Sequence, residues 1–325
     1  MAVTILDHAM VSANEGKMVL AAIENWFARE SHMAQSLVWA TNKELAVQIT
    51  SWKTLPTVGT RILNAGFSES SGKFQQKIES KYIFGHYIDV DSVLVDANPA
   101  ERTIQRQQSA EGMAFKFNDM FINGDPQSNE FKGLSGRVDD VNALGGIYTD
   151  QYIDAGSATT GKGILYDTTE RHYFIDQMAK LKHVIVGHRP DAFLMNSKMY
   201  LAFESAMRRE SLLKQDADQF GRIINMFSSV PLVDIGIKAD QATEIITNGE
   251  SLSLGSDETS IYAYRLGEGK YLWGIQQKPM EVIDHGRRDS APVFRDEVQW
   301  VIGLAVSDPR SIARAYGFVA DSGAS

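Results

Sequence analysis

The 325-residue chain has no cysteine, only eight prolines and only seven histidines. Without cysteine there are no disulfides and no thiolate metal sites, which suits a reducing compartment. No apolar run approaches the ~18 residues of a membrane-spanning helix. The opening MAVTILDHAMVSANEGK lacks a basic region followed by an apolar stretch, so a soluble chain without a signal peptide is expected. Positive charge is also scarce: 32 Lys and Arg against 41 Asp and Glu leave a formal net charge of -9. That balance opposes affinity for free nucleic acid or an anionic membrane, because phosphate binding depends on Lys and Arg displacing counterions. The histidines are scattered, and only His183 and His188 lie close. On a strand their odd spacing puts them on opposite faces, which excludes a shared metal.

What is present is a sizeable core. With 43% hydrophobic residues the chain is globular, and its length suggests two or three lobes. The stretch Asn98 to Leu134 is the most sharply marked. Asn98 as N-cap, Pro99 at the first helical position and Glu101 completing a capping box predict a helix of about 24 residues. Its stripe is Ala100, Ile104, Gln107, Ala114, Phe117 and Phe121, sparse early and apolar late, with Ile104, Ala114, Phe117 and Phe121 as the core positions. Asn123, Gly124, Asp125 and Pro126 end it, and a turn runs on to Gly133 and Leu134.

Before this helix come a short polar arm, a helix over Met18 to Arg29 and a helical patch over Met33 to Trp39. Leu45, Val47 and Ile49 then alternate with Ala46, Gln48 and Thr50 as a half-exposed strand does. A Gly/Ser/Thr/Asn-rich loop, Pro56 to Gly72, leads into a second strand through Phe74, Ile78 and Tyr87. Such an excursion buries too little alone and needs a neighbour. After Leu134 the pattern predicts a helix from Thr168 or Thr169 with Phe174, Met178 and Leu181, and strands at His183–Gly187 and Ala192–Met195. A helix capped by Asn196 or Ser197 should run through Arg209. Further strands are expected at Val230–Asp234, Ile245–Thr247, Ser260–Arg265 and Tyr271–Gln276, with paired strands through Met280 and Val282 and through Val298, Trp300, Ile302 and Leu304. A last strand should follow the Asp308-Pro309 break and reach Phe318. The class is α+β.

Four strings in this order resemble the major capsid proteins of tailed double-stranded DNA bacteriophages, the Hong Kong 97 fold. They are FINGDPQSNEFKGL (Phe121 to Leu134), HYFIDQMAKLKHVIVGHRPDAFLMNSKMYLAF (His172 to Phe203), SSVPLVDIG (Ser228 to Gly236) and FRDEVQWVIGLAVSDPRSIARAYGF (Phe294 to Phe318). The resemblance implies an N-terminal arm and short helix (1–30) and an extended loop hairpin (45–90). It further implies a peripheral domain with a spine helix (31–44, 91–145 and 279–306) and an axial domain (146–278 and 307–325). Implied partners are the chain itself, as pentamers and hexamers of an icosahedral shell around double-stranded DNA, with portal and scaffolding proteins and, where one exists, a decoration protein. The implied setting is the virion, after assembly in the host cytoplasm. Because the arm begins almost at Met1, a separate scaffolding protein is expected. Some family members cross-link a loop lysine, and Lys73, Lys77 and Lys81 lie in or near the loop, but an exposed-strand lysine is ordinarily just solvated. An encapsulin-type compartment shares the fold.

No enzymatic activity, cofactor or metal is implied. The loop GSATTGKG, Gly156 to Gly163, matches a phosphate-binding loop up to its last position. Gly163 lacks the hydroxyl that would hold Mg²⁺, and neither a buried strand before nor a helix after is predicted. The segment reads as a glycine-rich surface loop; a nucleotide-binding enzyme is the alternative from another class, and it requires ATP to raise the melting temperature. Asp139-Asp140, Glu281, Asp284 and Asp289 read as solvated charge, and Arg208-Arg209 and Arg287-Arg288 as short basic pairs. The functional residues of a shell subunit are its contact surfaces. Apolar side chains on an element without its own core are the candidates: Trp52, Leu55, Ile62, Leu63 and Phe67.

Overall fold

The computed structural model describes residues 3–54, 56–156, 162–217, 220–253 and 257–320. Helices α1 (Ile5–Asn14), α2 (Met18–Glu30) and α3 (His32–Ser36) open the chain. Strands β1 (Trp39–Thr41), β2 (Ala46–Thr54), β3 (Lys73–Ser80) and β4 (Tyr82–Asp91) lead to α4 (Ser92–Ala97), α5 (Glu101–Asn123) and α6 (Leu134–Ala143). Next come β5 (Tyr152–Asp154), α7 (Thr168–Val184), β6 (Ala192–Met195), α8 (Ser197–Arg209), β7 (Lys214–Ala217), β8 (Ile223–Phe227), β9 (Val230–Asp234) and β10 (Thr259–Tyr264). Strands β11 (Leu272–Gln276), β12 (Glu281–Arg287), β13 (Val293–Val306) and β14 (Ile312–Phe318) complete it.

Three sheets organise these elements. In the first, the 14-residue β13 pairs antiparallel with β4 along one edge and with β12 and β11 along the other, and β1 adds in parallel to β11. The second runs β5-β14-β10-β6-β9-β8-β7, and the third is the two-stranded β2-β3. The alternation expected in β13 places Val298, Trp300, Ile302 and Leu304 in the core. There they meet α2 and α5. Phe117 lies at the centre, with ring centroids 5.6 Å from Phe27, 6.1 Å from Trp39 and 6.5 Å from Phe84. The seven-stranded sheet carries α7 and α8 on one face, where Phe174 packs edge-on against Phe203 and Phe318. Its central strands are buried on both faces. Phe193, Met195, Ile261 and Ala263 join the α7/α8 core, whereas Leu194, Tyr262 and Tyr264 join the α5 core.

Several expectations are corrected. The polar arm is helix α1, because Thr4 and Asp7 cap each other's backbone N–H at 3.2 and 3.1 Å and because Ile5 and Ala9 bury. Helix α5 starts at Glu101, not Pro99. Asn98 Oδ1 accepts from the Ala100 N–H at 3.1 Å in a lead-in turn, and Glu101 accepts from Gln105 instead of closing a capping box. Ala114, Phe117 and Phe121 are buried, but Ile104 is 43% exposed and is not a core residue. On its turns Arg102 and Arg106 lean on the sheet instead, both reaching the buried Asp296 of β13 at 2.6 and 2.9 Å.

The stretch His183–Gly187 is not a strand. His183 and Val184 end α7, Gly187 and His188 take positive φ, and the turn stacks the two imidazoles 3.8 Å apart instead of separating them. Ile245 and Ile246 are buried in a loop, not in a strand. By strand pairing the two-stranded excursion ends at Ser80, because β4 belongs to the β13 sheet. Likewise β11 pairs with β13, so the seven-stranded lobe hands the chain back before Leu272 and not at 278.

Candidate assembly surface

The β2-β3 hairpin has one anchored end and one exposed end. Its strands pair from Ala46↔Ser80 to Thr54↔Lys73 and with no other strand among the described residues. Near the base, Ile49 packs in a small cluster with Trp273, Ile275 and Ala305. Glu79, next to the last residue of β3, is buried and receives both guanidinium nitrogens of the buried Arg137, at 2.7 and 2.9 Å. Arg137 also donates to Leu304 O and Lys132 O, each at 2.8 Å, which ties α6, β3 and β13 together. Burial alone would push the Glu79 carboxyl up, but the Arg137 hydrogen bonds and charge, with Lys77 at 3.2 Å, outweigh it and hold the group below its ordinary value. Lys81 is buried too and donates to the carbonyls of Asn42 and Glu44.

Arg137 arrives there because of the turn after α5. Gly133 N–H donates to Gly124 O at 2.8 Å, closing the loop. A Cβ on Gly124 would lie 2.2 Å from Phe131 O, and one on Gly133 2.4 Å from Ile122 O, so both positions require glycine. Between them Asp125 Oδ1 caps a single 3₁₀ turn, Pro126–Ser128, by accepting from the Gln127 N–H at 3.0 Å. Leu134 is buried as the first residue of α6 and sets that helix against α5. The turn residues read from the sequence thus aim Arg137 at the hairpin base. The pair itself was missed, since nothing local in the sequence signals two charges 58 positions apart.

The far end, residues 56–72, is almost wholly exposed. Of the five candidate contacts, Ile62, Leu63 and Phe67 stand 79, 87 and 67% exposed, and Val58, which was missed, belongs with them. Trp52 has its backbone in β2, but its side chain, like all of Leu55, lies outside the described residues. The tip keeps some order of its own. Thr57 N–H donates to Ser70 Oγ at 2.7 Å, Ala65 N–H to Ile62 O at 3.1 Å, and Arg61 stacks over the Phe67 ring at 5.3 Å. Lys77 and Lys81 are engaged at the base, which leaves Lys73 as the exposed lysine of the three.

Charge read as solvated is partly structural. Asp284 pairs with Arg102 at 2.9 Å, extending the Arg102–Arg106–Asp296 network that fixes the start of α5 on the β12-β13 ribbon. Most of the Gly156–Gly163 loop lies outside the described residues. Lys162 packs over the Tyr166 ring at 4.1 Å, and helix α7 begins at Thr168. Among the described residues no group of three or more His, Asp or Glu is placed to hold a metal ion, and no helix is long and apolar enough to cross a membrane.

Residues 14–166 match the family model described as Major capsid protein GP7. No curated protein matches the sequence. Among solved structures the chain is similar to the holo-SrpI encapsulin complex from Synechococcus elongatus PCC 7942, at 15% identity over 89% of this chain and 88% of that one, with a TM-score of 0.61. The capsid of an empty GTA particle follows at 14% identity, 89 and 90% coverage and a TM-score of 0.58. A protein of Mycobacterium phage Bobi aligns at 9% identity, 88 and 89% coverage and a TM-score of 0.57. At such identities the structures speak to fold, and the family match adds its own weight over the first half of the chain. Together they show the Hong Kong 97-type capsid fold, with the match to a major capsid protein family confined to residues 14–166.

Proposed function

We propose that the chain is a shell subunit that assembles with copies of itself, as pentamers and hexamers, into a closed icosahedral head around double-stranded DNA. The observation that carries this is the hairpin: an apolar tip in solvent, on a base fixed by a buried ion pair. A lone soluble domain gains nothing from displaying Val58, Ile62, Leu63 and Phe67. Each would contribute roughly 1.5–3 kcal/mol once covered by a neighbour. Repeated by symmetry, contacts of that size close a shell. A net charge of -9 suits a wall that encloses DNA without adhering to it. Portal and scaffolding proteins, and a decoration protein where one exists, are the further partners of this reading, with assembly in the host cytoplasm and the virion as destination.

Similarity to an encapsulin over most of both chains supports one second reading, a compartment that encloses protein cargo. Electron microscopy of the chain expressed alone and with its candidate scaffolding partner tests the common part: uniform closed shells are expected. Nuclease-protected double-stranded DNA inside shells formed during infection supports the head. A single co-purified protein in place of DNA supports the compartment, and monodisperse monomers in every sample contradict both.

A further inference from the structure

Helix α1 is fastened to α2 at one polar point. His8 Nδ1 lies 2.5 Å from Glu24 Oε1; the carboxylate is completely buried, whereas the imidazole is 22% exposed. The second oxygen, Glu24 Oε2, and the indole N–H of Trp39 have no hydrogen-bond partner among the described residues. Both side chains line a cavity of about 10 Å³ together with Thr4, His8, Gln276 and Trp300. Gln276 is already committed, accepting from Trp300 Nε1 at 2.9 Å and donating to Thr41 Oγ1 at 3.1 Å. From α1, Ser12 Oγ approaches His8 Nδ1 at 3.4 Å. The one other charge acting on Glu24 is Lys17 at the α1-α2 turn, which is paired with Glu15 at 2.8 Å. An ionised Glu24 therefore depends on α1, chiefly on His8, with a lesser hydrogen-bond contribution from Ser12.

We propose that His8 and Glu24 form a proton-operated latch that docks α1 while the pair holds a shared proton and releases it when that proton leaves through the exposed edge of His8. With the proton bound, the pair is neutral overall, either as imidazolium with carboxylate or as imidazole with carboxylic acid. Without it, a net negative charge remains in a site walled by two tryptophans, and such a charge is costly unless paired. Burial pushes the Glu24 carboxyl above its ordinary value, and the hydrogen bond and charge of His8, with smaller pulls from the Ser12 hydroxyl and Lys17, draw it back only in part. A carboxyl whose folded value is raised contributes docking free energy fully below its unfolded value of 4.5, and that contribution is lost as pH rises through the folded value. Undocking would lift Ile5 and Ala9 from the core and uncover Trp39, whose backbone pairs with Val3. The latch operates in the subunit whether or not shells form.

Hydrogen–deuterium exchange on the full chain, corrected for intrinsic exchange rates and followed from pH 5 to pH 9, tests this. Protection of the α1 amides is expected to fall by up to about tenfold per pH unit between the undocked and docked values of the pair, the slope of a single linked proton, and to level off above, while α5 amides hold theirs. In Glu24→Gln, whose amide oxygen still accepts from His8, α1 protection should stay flat across the range. In His8→Ala, where the imidazole no longer draws the carboxyl back, protection should fall further with rising pH than in the wild type. A flat wild-type profile overturns the latch by itself, even if a variant fails to fold, and so does a fall in Glu24→Gln parallel to that of the wild type.

Discussion

Arg137 grips Glu79 through two hydrogen bonds, at 2.7 and 2.9 Å, with both side chains removed from solvent. This buried pair fastens the β2-β3 hairpin, a ribbon too short of partners to be stable alone, to the helix that follows α5. Removing one partner strands the other charge, so Arg137→Ala or Glu79→Ala should each cost about 3–5 kcal/mol. Urea unfolding of the unassembled subunit would measure it, and the double variant should recover part of the loss.

The same pair sets an acid limit on the hairpin base. Because the folded Glu79 carboxyl is held below its ordinary value of 4.5, its contribution is fully present above that value and is lost as pH falls through the depressed one. Exchange protection of the β2-β3 amides should therefore drop on acidification before that of α5. Glu79→Gln should flatten this dependence.

The two halves of α5 should respond differently to truncation. Phe117, central among Phe27, Trp39, Phe84 and Phe131, should cost about 3–5 kcal/mol as Phe117→Ala. Ile104→Ala on the exposed turn should stay within about 0.5 kcal/mol. Thermal or urea midpoints of the two variants, compared side by side, check the orientation of the helix.

Gly124→Ala places a methyl 2.2 Å from a backbone carbonyl and so should cost about 1–3 kcal/mol. Because that turn aims α6, the variant should also loosen the hairpin base, seen as faster exchange at β3. Gly136→Ala, inside α6 and near only the flexible end of Lys132, is the control and should be tolerated.

Much of the fold was legible because local pattern and burial agree. The two-residue alternation through Val298 to Leu304 and the spacing of Phe174, Met178 and Leu181 each describe one face of one element. Reading failed where a distant residue decided the outcome. Ile104 sits in an apolar register, but Arg102 and Arg106 reach Asp296, 194 and 190 positions away, and take the sheet-facing side. His183 to Gly187 has the composition of a strand, yet left-handed backbone at Gly187 and His188 turns it. For α1 the signal was present, a Thr4 and Asp7 capping box, but its short apolar face of Ile5, Leu6 and Ala9 looked like an arm. Of the proposed assembly surface, the apolar tip was visible in composition and its anchor was not.

The central claim is that the exposed hairpin tip drives self-assembly, and it is tested most directly by sedimentation of the wild type beside Ile62→Asp/Phe67→Asp under assembly conditions. The wild type should sediment as closed shells. The variant should stay as small oligomers with an unfolding midpoint unchanged within about 0.5 kcal/mol, because neither side chain supports the monomer core. Normal shells from the variant, in normal yield, would contradict the account.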